Sequence, residues 1–141
     1  LPGFRRWAEG LELPTQEAAS LQAALAGGQT PKAAETLRRL AARYLIATKR
    51  PKGDPLDPVA RFHLGNGALV HKVHAGADVS ANGLRQSAGV MVNYLYDIDQ
   101  IDKNIEGYSA SKTVAHSRPL AASLKSAAQS GQAQPAPKAR T

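Results

Sequence analysis

The chain has 141 residues, of which 43% are hydrophobic, and it carries a formal net charge of +7. These values fit one globular domain or a piece of one. No segment approaches the roughly 20 apolar residues that a membrane-spanning helix needs. Cysteine is absent, which excludes disulfides, thiolate metal ligands and a cysteine nucleophile within this segment. Because the sequence does not begin with methionine, we expect it to be the tail part of a longer polypeptide.

The positive charge suits an anionic partner, either a nucleic acid or a phosphate-bearing cofactor. The sequence has no helix-turn-helix pattern, no zinc-ligand pattern and no basic strands interleaved with aromatic residues. A nucleic-acid module is therefore the least favoured class, and we expect neither a nucleic-acid nor a membrane partner. Most individual charges are interpreted as solvated.

The first 50 residues are predicted to form three helices. Pro2 suits the first turn of the first helix, and Thr15 is the expected N-cap of the second. Thr30 caps the third, which Pro51 ends. The third helix combines a buried stripe (Leu37, Leu40, Ala41, Tyr44 and Leu45) with a basic and largely solvated face (Lys32, Arg38, Arg39 and Arg43).

A strand pair is expected next. Residues 59–64 are a short apolar run typical of a strand, and residues 69–75 are the second strand. The segment Gly65-Asn66-Gly67 between them predicts a turn, because glycine and asparagine tolerate positive φ. Apolar and polar residues alternate only partly in phase in the second strand.

A helix is predicted to begin after Ser80, its N-cap, and to end at Tyr96. Its buried stripe would consist of Leu84, Ala88, Met91, Val92 and Leu95.

The remaining residues are predicted to contain one more helix. Residues 97–111 are interpreted as a connection, and residues 114–128 are helical in composition. Pro119 either interrupts that helix or resets its start. Residues 129–141 lack apolar periodicity and are predicted to be a disordered tail, which leaves residues 1–128 as one domain.

Among the four histidines, His63 is the strongest candidate for acid–base chemistry, because it ends an apolar run and precedes a glycine turn. From local sequence alone, a histidine of the core or turn is the commoner explanation. His71 and His74 are expected on opposite faces of a strand and have no further metal ligands at fixed spacing, so no metal site is predicted. His116 is expected to face solvent on a polar helix.

Two other features are weaker candidates. Tyr94 and Tyr96 are expected on different sides of a helix, one in the core and one at a cleft, with aromatic packing as the alternative for each. The helix start at Ser80, followed by Gly83, has free backbone N–H groups and the positive end of the helix dipole, which favour an anion.

Several sequence motifs occur together. They are HLGNGA at residues 63–68, ADVSxxGLxxS at 77–87, MVNYxY at 91–96, PGFxxW at 2–7 and DPVARF at 57–62. In combination, they closely resemble the carboxy-terminal catalytic region of malonyl-CoA decarboxylases. The resemblance extends from Leu1 to about Ser126.

The resemblance implies an enzyme that converts malonyl-CoA to acetyl-CoA and carbon dioxide without a metal or other prosthetic group, coenzyme A being part of the substrate. It implies an α/β (α+β) fold of the GNAT acetyltransferase type, mostly helical in this segment, in a parent that forms a homo-oligomer, expected as a tetramer. The family's active site pairs a serine with a histidine. His63 stands at the place of the histidine and Tyr96 at that of a nearby tyrosine. Coenzyme A is expected to bind at the helix start, through Ser80, Gly83, Arg85 and Ser87.

The family serine lies in a Ser-Pro-x-Pro-Gly-Phe motif, so it would stand just before Leu1. This segment alone is therefore expected to be inactive and to need the remainder of the parent chain. The alternative interpretation is an acyl-CoA binding or acyltransferase domain of the same fold that does not decarboxylate. The alanine-rich, cysteine-free composition favours the bacterial cytoplasm.

Overall fold

A computed structural model describes residues 1–27 and 30–132. Within that part, seven helices and two strands follow one another as α1 Phe4–Glu9, α2 Thr15–Leu25, α3 Pro31–Ala42, α4 Pro58–Gly65, β1 Leu69–His74, α5 Ala81–Ser87, β2 Met91–Leu95, α6 Ile101–Ser111 and α7 Arg118–Gln132. The strands form a two-stranded antiparallel sheet. The mixed α+β fold is thus confirmed.

The third helix, α3, is the centre of the helical half and packs against α2, α7 and β1. The hydroxyl of Thr30 accepts a hydrogen bond from the backbone N–H of Ala33 at 3.0 Å, so the predicted cap is confirmed. The whole predicted stripe is buried. Arg39 is not solvated as expected, because it forms an ion pair with Glu17 of α2 and both side chains are mostly buried.

Three boundaries in this half differ from the prediction. Pro2 lies before α1, which begins at Phe4 after a left-handed Gly3. Thr15 is the first residue of α2, which begins after Pro14 without a side-chain cap. The end of α3 widens into a π-helical turn, Arg43–Ala47, so the helix stops before Pro51.

The predicted strand at residues 59–64 is wrong, because these residues lie in α4. The carboxylate of Asp57 accepts a hydrogen bond from the N–H of Ala60 at 2.8 Å, and Pro58 occupies the first helical position. A capping aspartate followed by proline is a recognised helix start. Ala60 and Leu64, four residues apart, form the buried face of the helix.

The second predicted strand is confirmed as β1, which contains a bulge between Val70 and Lys72. A bulge shifts the alternation of side chains by one residue. Val70 and Val73 are therefore both buried although an odd number of positions separates them. The bulge explains why the alternation in the sequence is out of phase.

The helix predicted from Ser80 to Tyr96 ends early. Ser80 does cap α5, but the chain reverses at Ala88 and Gly89, whose φ angles are +51° and +79°. Left-handed residues of this kind end a helix, and glycine adopts them without strain. Residues 91–95 consequently form β2, which pairs with β1 so that Val70 lies opposite Tyr94 and Val73 opposite Val92.

The last part of the chain adds two helices. Residues 101–111, predicted as connection, form α6, which packs against α4. Pro119 lies in the first turn of α7, so it resets the start of that helix. Residues 129–132, assigned to the tail from the sequence, are helical, and residues 133–141 lie outside the described residues.

The turn between α4 and β1 offers a test of its packing. Gly67 and Gly27 both have a φ of +94°, but a methyl group at Gly67 would lie 2.7 Å from Cγ2 of Ile101, whereas no described residue comes within 4 Å of one at Gly27. Gly27→Ala should lose about 1–2 kcal/mol of unfolding free energy from backbone strain. Gly67→Ala should lose about 1–3 kcal/mol more from overpacking. If urea denaturation gave equal losses of unfolding free energy for the two variants, the tight contact between Gly67 and α6 would be contradicted.

The start of α4 offers a second test. Asp57 is fully buried, and burial raises the pKa of its carboxyl group. Asp57→Ala should cost about 0.5–2 kcal/mol through loss of the cap, whereas Asp57→Asn keeps a capping oxygen and should cost less.

The raised pKa of Asp57 also makes the stability of the fold depend on pH. A carboxyl group with a raised pKa in the folded state contributes stability below its unfolded pKa of about 3.9 and loses it as the pH rises through the folded pKa. The Asn variant should therefore lose less stability than the wild type over that interval. Parallel curves of stability against pH for the Asn variant and the wild type would contradict a raised pKa of Asp57.

Candidate active site around His63

His63 lies in the last turn of α4, half-buried, and its Nδ1 is 2.6 Å from the hydroxyl oxygen of Tyr96. Either group can be the donor, depending on the imidazole tautomer. Among the described residues, Nε2 has no hydrogen-bond partner. The structure thus brings together the two residues that the sequence singled out as catalytic candidates, with one ring nitrogen bonded and the other available.

Tyr94 lies against the same imidazole. Its ring stacks on His63 with the centroids 4.2 Å apart and the planes inclined by 22°. The prediction that Tyr94 and Tyr96 point to different sides of a helix is wrong, because the segment is extended and residues two apart share a face. The break at Gly89 was the signal in the sequence that could have identified the strand.

A buried polar cluster consists of the Tyr44 and Tyr94 hydroxyls and the Asp57 carboxylate, so the stacked ring of Tyr94 belongs to it. Burial and then the charge of Asp57 raise the pKa of Tyr44 to about 12, and the same two causes raise the pKa of Tyr94. Within the described part of the chain, the Tyr94 hydroxyl and Oδ1 of Asp57 have no hydrogen-bond partner. Both phenols therefore stay protonated at neutral pH, and the cluster retains unused hydrogen-bonding capacity.

Apolar side chains near His63 and Tyr96 in the sequence are exposed. The Phe62 ring meets the imidazole edge to face at 5.2 Å and is 64% exposed, and Ile98 is 86% exposed. Leu95, at the end of β2, is also exposed.

The start of α5, the predicted site for an anion, already has a carboxylate. Oδ1 of Asp78 accepts hydrogen bonds from the N–H and hydroxyl of Ser80 at 3.1 and 2.7 Å, and these bonds lower the pKa of Asp78. A methyl group on Gly83 would overlap that carboxylate. Gly83 and Ser87 are buried, whereas Arg85 is exposed. Of the four predicted coenzyme A ligands, only Ser80 and Arg85 are accessible.

Two other histidines make hydrogen bonds outside the site around His63. His74 pairs with Asn93 on the neighbouring strand. His116 is half-buried and precedes α7, with Nδ1 donating to the carbonyl of Val114 at 2.7 Å, so its predicted exposure on a helix is wrong. Among the described residues, no three histidine or acidic side chains gather as metal ligands, and no helix could cross a membrane.

Comparison with known proteins gives a family. The profile of the malonyl-CoA decarboxylase C-terminal domain matches residues 2–134. The mitochondrial malonyl-CoA decarboxylases of Rattus norvegicus and Mus musculus are each 42% identical over 84 residues, which is 60% of this chain. The chain spans only 17% of the length of either relative.

Solved structures agree. Malonyl-CoA decarboxylase from Rhodopseudomonas palustris is 35% identical, with a TM-score of 0.78 over 87% of this chain and 31% of that one. The enzyme from Cupriavidus metallidurans is 43% identical, with a TM-score of 0.68 over 85% of this chain and 30% of its own. Because the domain profile covers nearly all of its residues, this chain belongs to the malonyl-CoA decarboxylase family and corresponds to the C-terminal domain.

Proposed function

We propose that the full-length protein containing this chain decarboxylates malonyl-CoA to acetyl-CoA and carbon dioxide, and that His63 and Tyr96 belong to its active site. The observation that carries the proposal is the 2.6 Å contact between the two side chains, in a chain of this family. The two residues are 33 positions apart in the sequence, yet α4 and the end of β2 place them side by side.

Loss of carbon dioxide from a β-carbonyl thioester leaves an enolate. The barrier falls when a hydrogen-bond donor meets the thioester oxygen, where charge develops. An acid must then protonate the former methylene carbon. When Tyr96 donates to Nδ1 of His63, a neutral imidazole carries its proton on Nε2, the nitrogen without a partner in the described chain. Tyr96 would thus select the tautomer that can donate to substrate.

A serine near His63 is implied by the family resemblance and stays a prediction. A methyl group on Gly3 would lie 3.0 Å from the hydroxyl of Tyr44, and the Leu1 nitrogen is 3.3 Å from the carbonyl oxygen of Val90. The first residues of this segment therefore lie beside the buried polar cluster.

Other features stay predictions. A homotetrameric parent and the absence of a prosthetic group rest on the family resemblance. The bacterial cytoplasm rests on the composition of the chain. The exposed Phe62 and Ile98 fit a surface that the rest of the parent or the substrate covers. Coenzyme A binding near α5 now depends on Arg85, because Asp78 occupies the helix start.

The first functional test replaces His63. In the full-length protein, His63→Asn should lower turnover by roughly 100- to 10,000-fold, as expected for loss of a general acid–base group. The melting temperature and the affinity for coenzyme A should change little, since the ring is half-buried at a helix end. Carbon dioxide release from malonyl-CoA measures turnover.

His71→Asn is the matched control, because His71 is also half-buried but lies in the bulge of β1, and it should keep wild-type activity. A His63 variant that still releases carbon dioxide at near the wild-type rate would refute the role. Acyl transfer without carbon dioxide release in the wild type would favour the acyltransferase alternative.

A second test concerns Arg85. If its guanidinium binds the phosphates of coenzyme A in both ground and transition states, Arg85→Ala should raise the Michaelis constant and leave turnover nearly unchanged. Arg118→Ala is the control, because Arg118 is also an exposed arginine and lies at the start of α7. Arg85 is the one cationic side chain among the four predicted ligands. An unchanged Michaelis constant for Arg85→Ala would exclude it from coenzyme A binding.

A further inference from the structure

We propose that Tyr94 is a positioning residue that fixes the plane of the His63 imidazole, so that Nδ1 meets Tyr96 while Nε2 is presented to substrate. This inference rests on the proposed function of His63. It assigns to Tyr94 a part in catalysis through the ring of another residue, without contact with the substrate.

Two contacts restrain the His63 imidazole ring in different directions. The hydrogen bond to Tyr96 lies at one edge of the imidazole, and the near-parallel stack with Tyr94 covers one face. Rotation of the His63 side chain about its Cα–Cβ bond would separate both contacts. A hydrogen bond alone leaves the ring free to tilt about the Nδ1–Oη direction, and the stack removes that freedom.

Tyr94 is itself held firmly. It lies opposite Val70 in the sheet, and Val70 is fully buried. The hydroxyl of Tyr94 is buried beside Asp57, the residue that caps α4 and so fixes the helix carrying His63. The two elements that meet at the imidazole, α4 and β2, therefore share one buried polar cluster.

The aromatic ring and the hydroxyl of Tyr94 have separable roles. The stack needs the ring, whereas the hydroxyl has no hydrogen-bond partner within the described chain. Phenylalanine keeps the stacking surface and leucine does not. If stacking positions His63, Tyr94→Phe should behave like the wild type where Tyr94→Leu fails.

The test compares Tyr94→Leu with Tyr94→Phe in the full-length protein. Tyr94→Leu should lower turnover by roughly 10- to 100-fold, the scale of a small misplacement of a catalytic group. Its Michaelis constant should stay within about twofold of the wild type, because a residue that acts through His63 adds no uniform substrate binding. Tyr94→Phe should restore at least half of the wild-type turnover.

NMR spectroscopy detects the stack of Tyr94 on His63 independently of enzyme activity. In protein with ¹³C-labelled histidines, the His63 ring protons, assigned by their loss in His63→Asn, should be shifted upfield by the Tyr94 ring current. Tyr94→Leu should remove that shift and Tyr94→Phe should keep it. This readout separates failure of the stack from failure of the proposed function, which the activity of His63→Asn decides.

Tyr108→Leu is the control for general loss of an aromatic side chain, because Tyr108 approaches Gly65 of α4 from α6 without touching His63. It should change stability without moving the His63 signals or turnover. Full turnover in Tyr94→Leu, or equal losses in the Leu and Phe variants, would overturn the inference. An unshifted His63 signal in the wild type would also overturn it.

Discussion

The antiparallel pairing of β1 with β2 is the interaction on which the candidate site depends. It places Tyr94 opposite the buried Val70, and this register directs Tyr94 and Tyr96 toward α4. The same pairing requires the chain to turn back after α5, which Ala88 and Gly89 accomplish with left-handed backbone angles. A one-residue slip in the register would move both phenol groups to the opposite face of the sheet.

The helix that carries His63 is fixed at both ends. Asp57 caps its start from within the core, and the tight turn at Gly67 joins its end directly to β1 and packs against Ile101 of α6. The imidazole therefore sits at a short, rigid junction between a helix and a strand. Placement on rigid elements of this kind is what keeps catalytic groups within the small tolerances that chemistry requires.

Part of this arrangement could be predicted from the sequence, and the failures have physical causes. The caps at Thr30 and Ser80 act through neighbouring residues, so local pattern was enough to identify them. The apolar run at residues 59–64 fits a strand as well as a helix, and the decisive sign was the Asp57-Pro58 pair before it. The Met91–Leu95 segment continues a helical stripe by spacing, although Gly89 breaks the helix.

The site itself was predictable only in part. Sequence resemblance singled out His63 and Tyr96 as candidates, but the stack of Tyr94 on His63 depends on a strand register that no local pattern contains. The role of Asp57 was missed for the same reason, since its burial results from packing between distant segments. The predicted anion site at α5 relied on the helix dipole and overlooked Asp78, two residues before the cap, whose carboxylate accepts from the N–H and hydroxyl of Ser80.

The most direct test of the central claim, that His63 and Tyr96 act as one unit, is a double-mutant cycle on carbon dioxide release by the full-length protein. Tyr96→Phe alone should reduce turnover, and less than His63→Asn does. In the His63→Asn background, Tyr96→Phe should have almost no further effect, because residues that act as a unit are strongly non-additive. Two fully additive losses would contradict the account, since Tyr96 would then act independently of the imidazole it contacts.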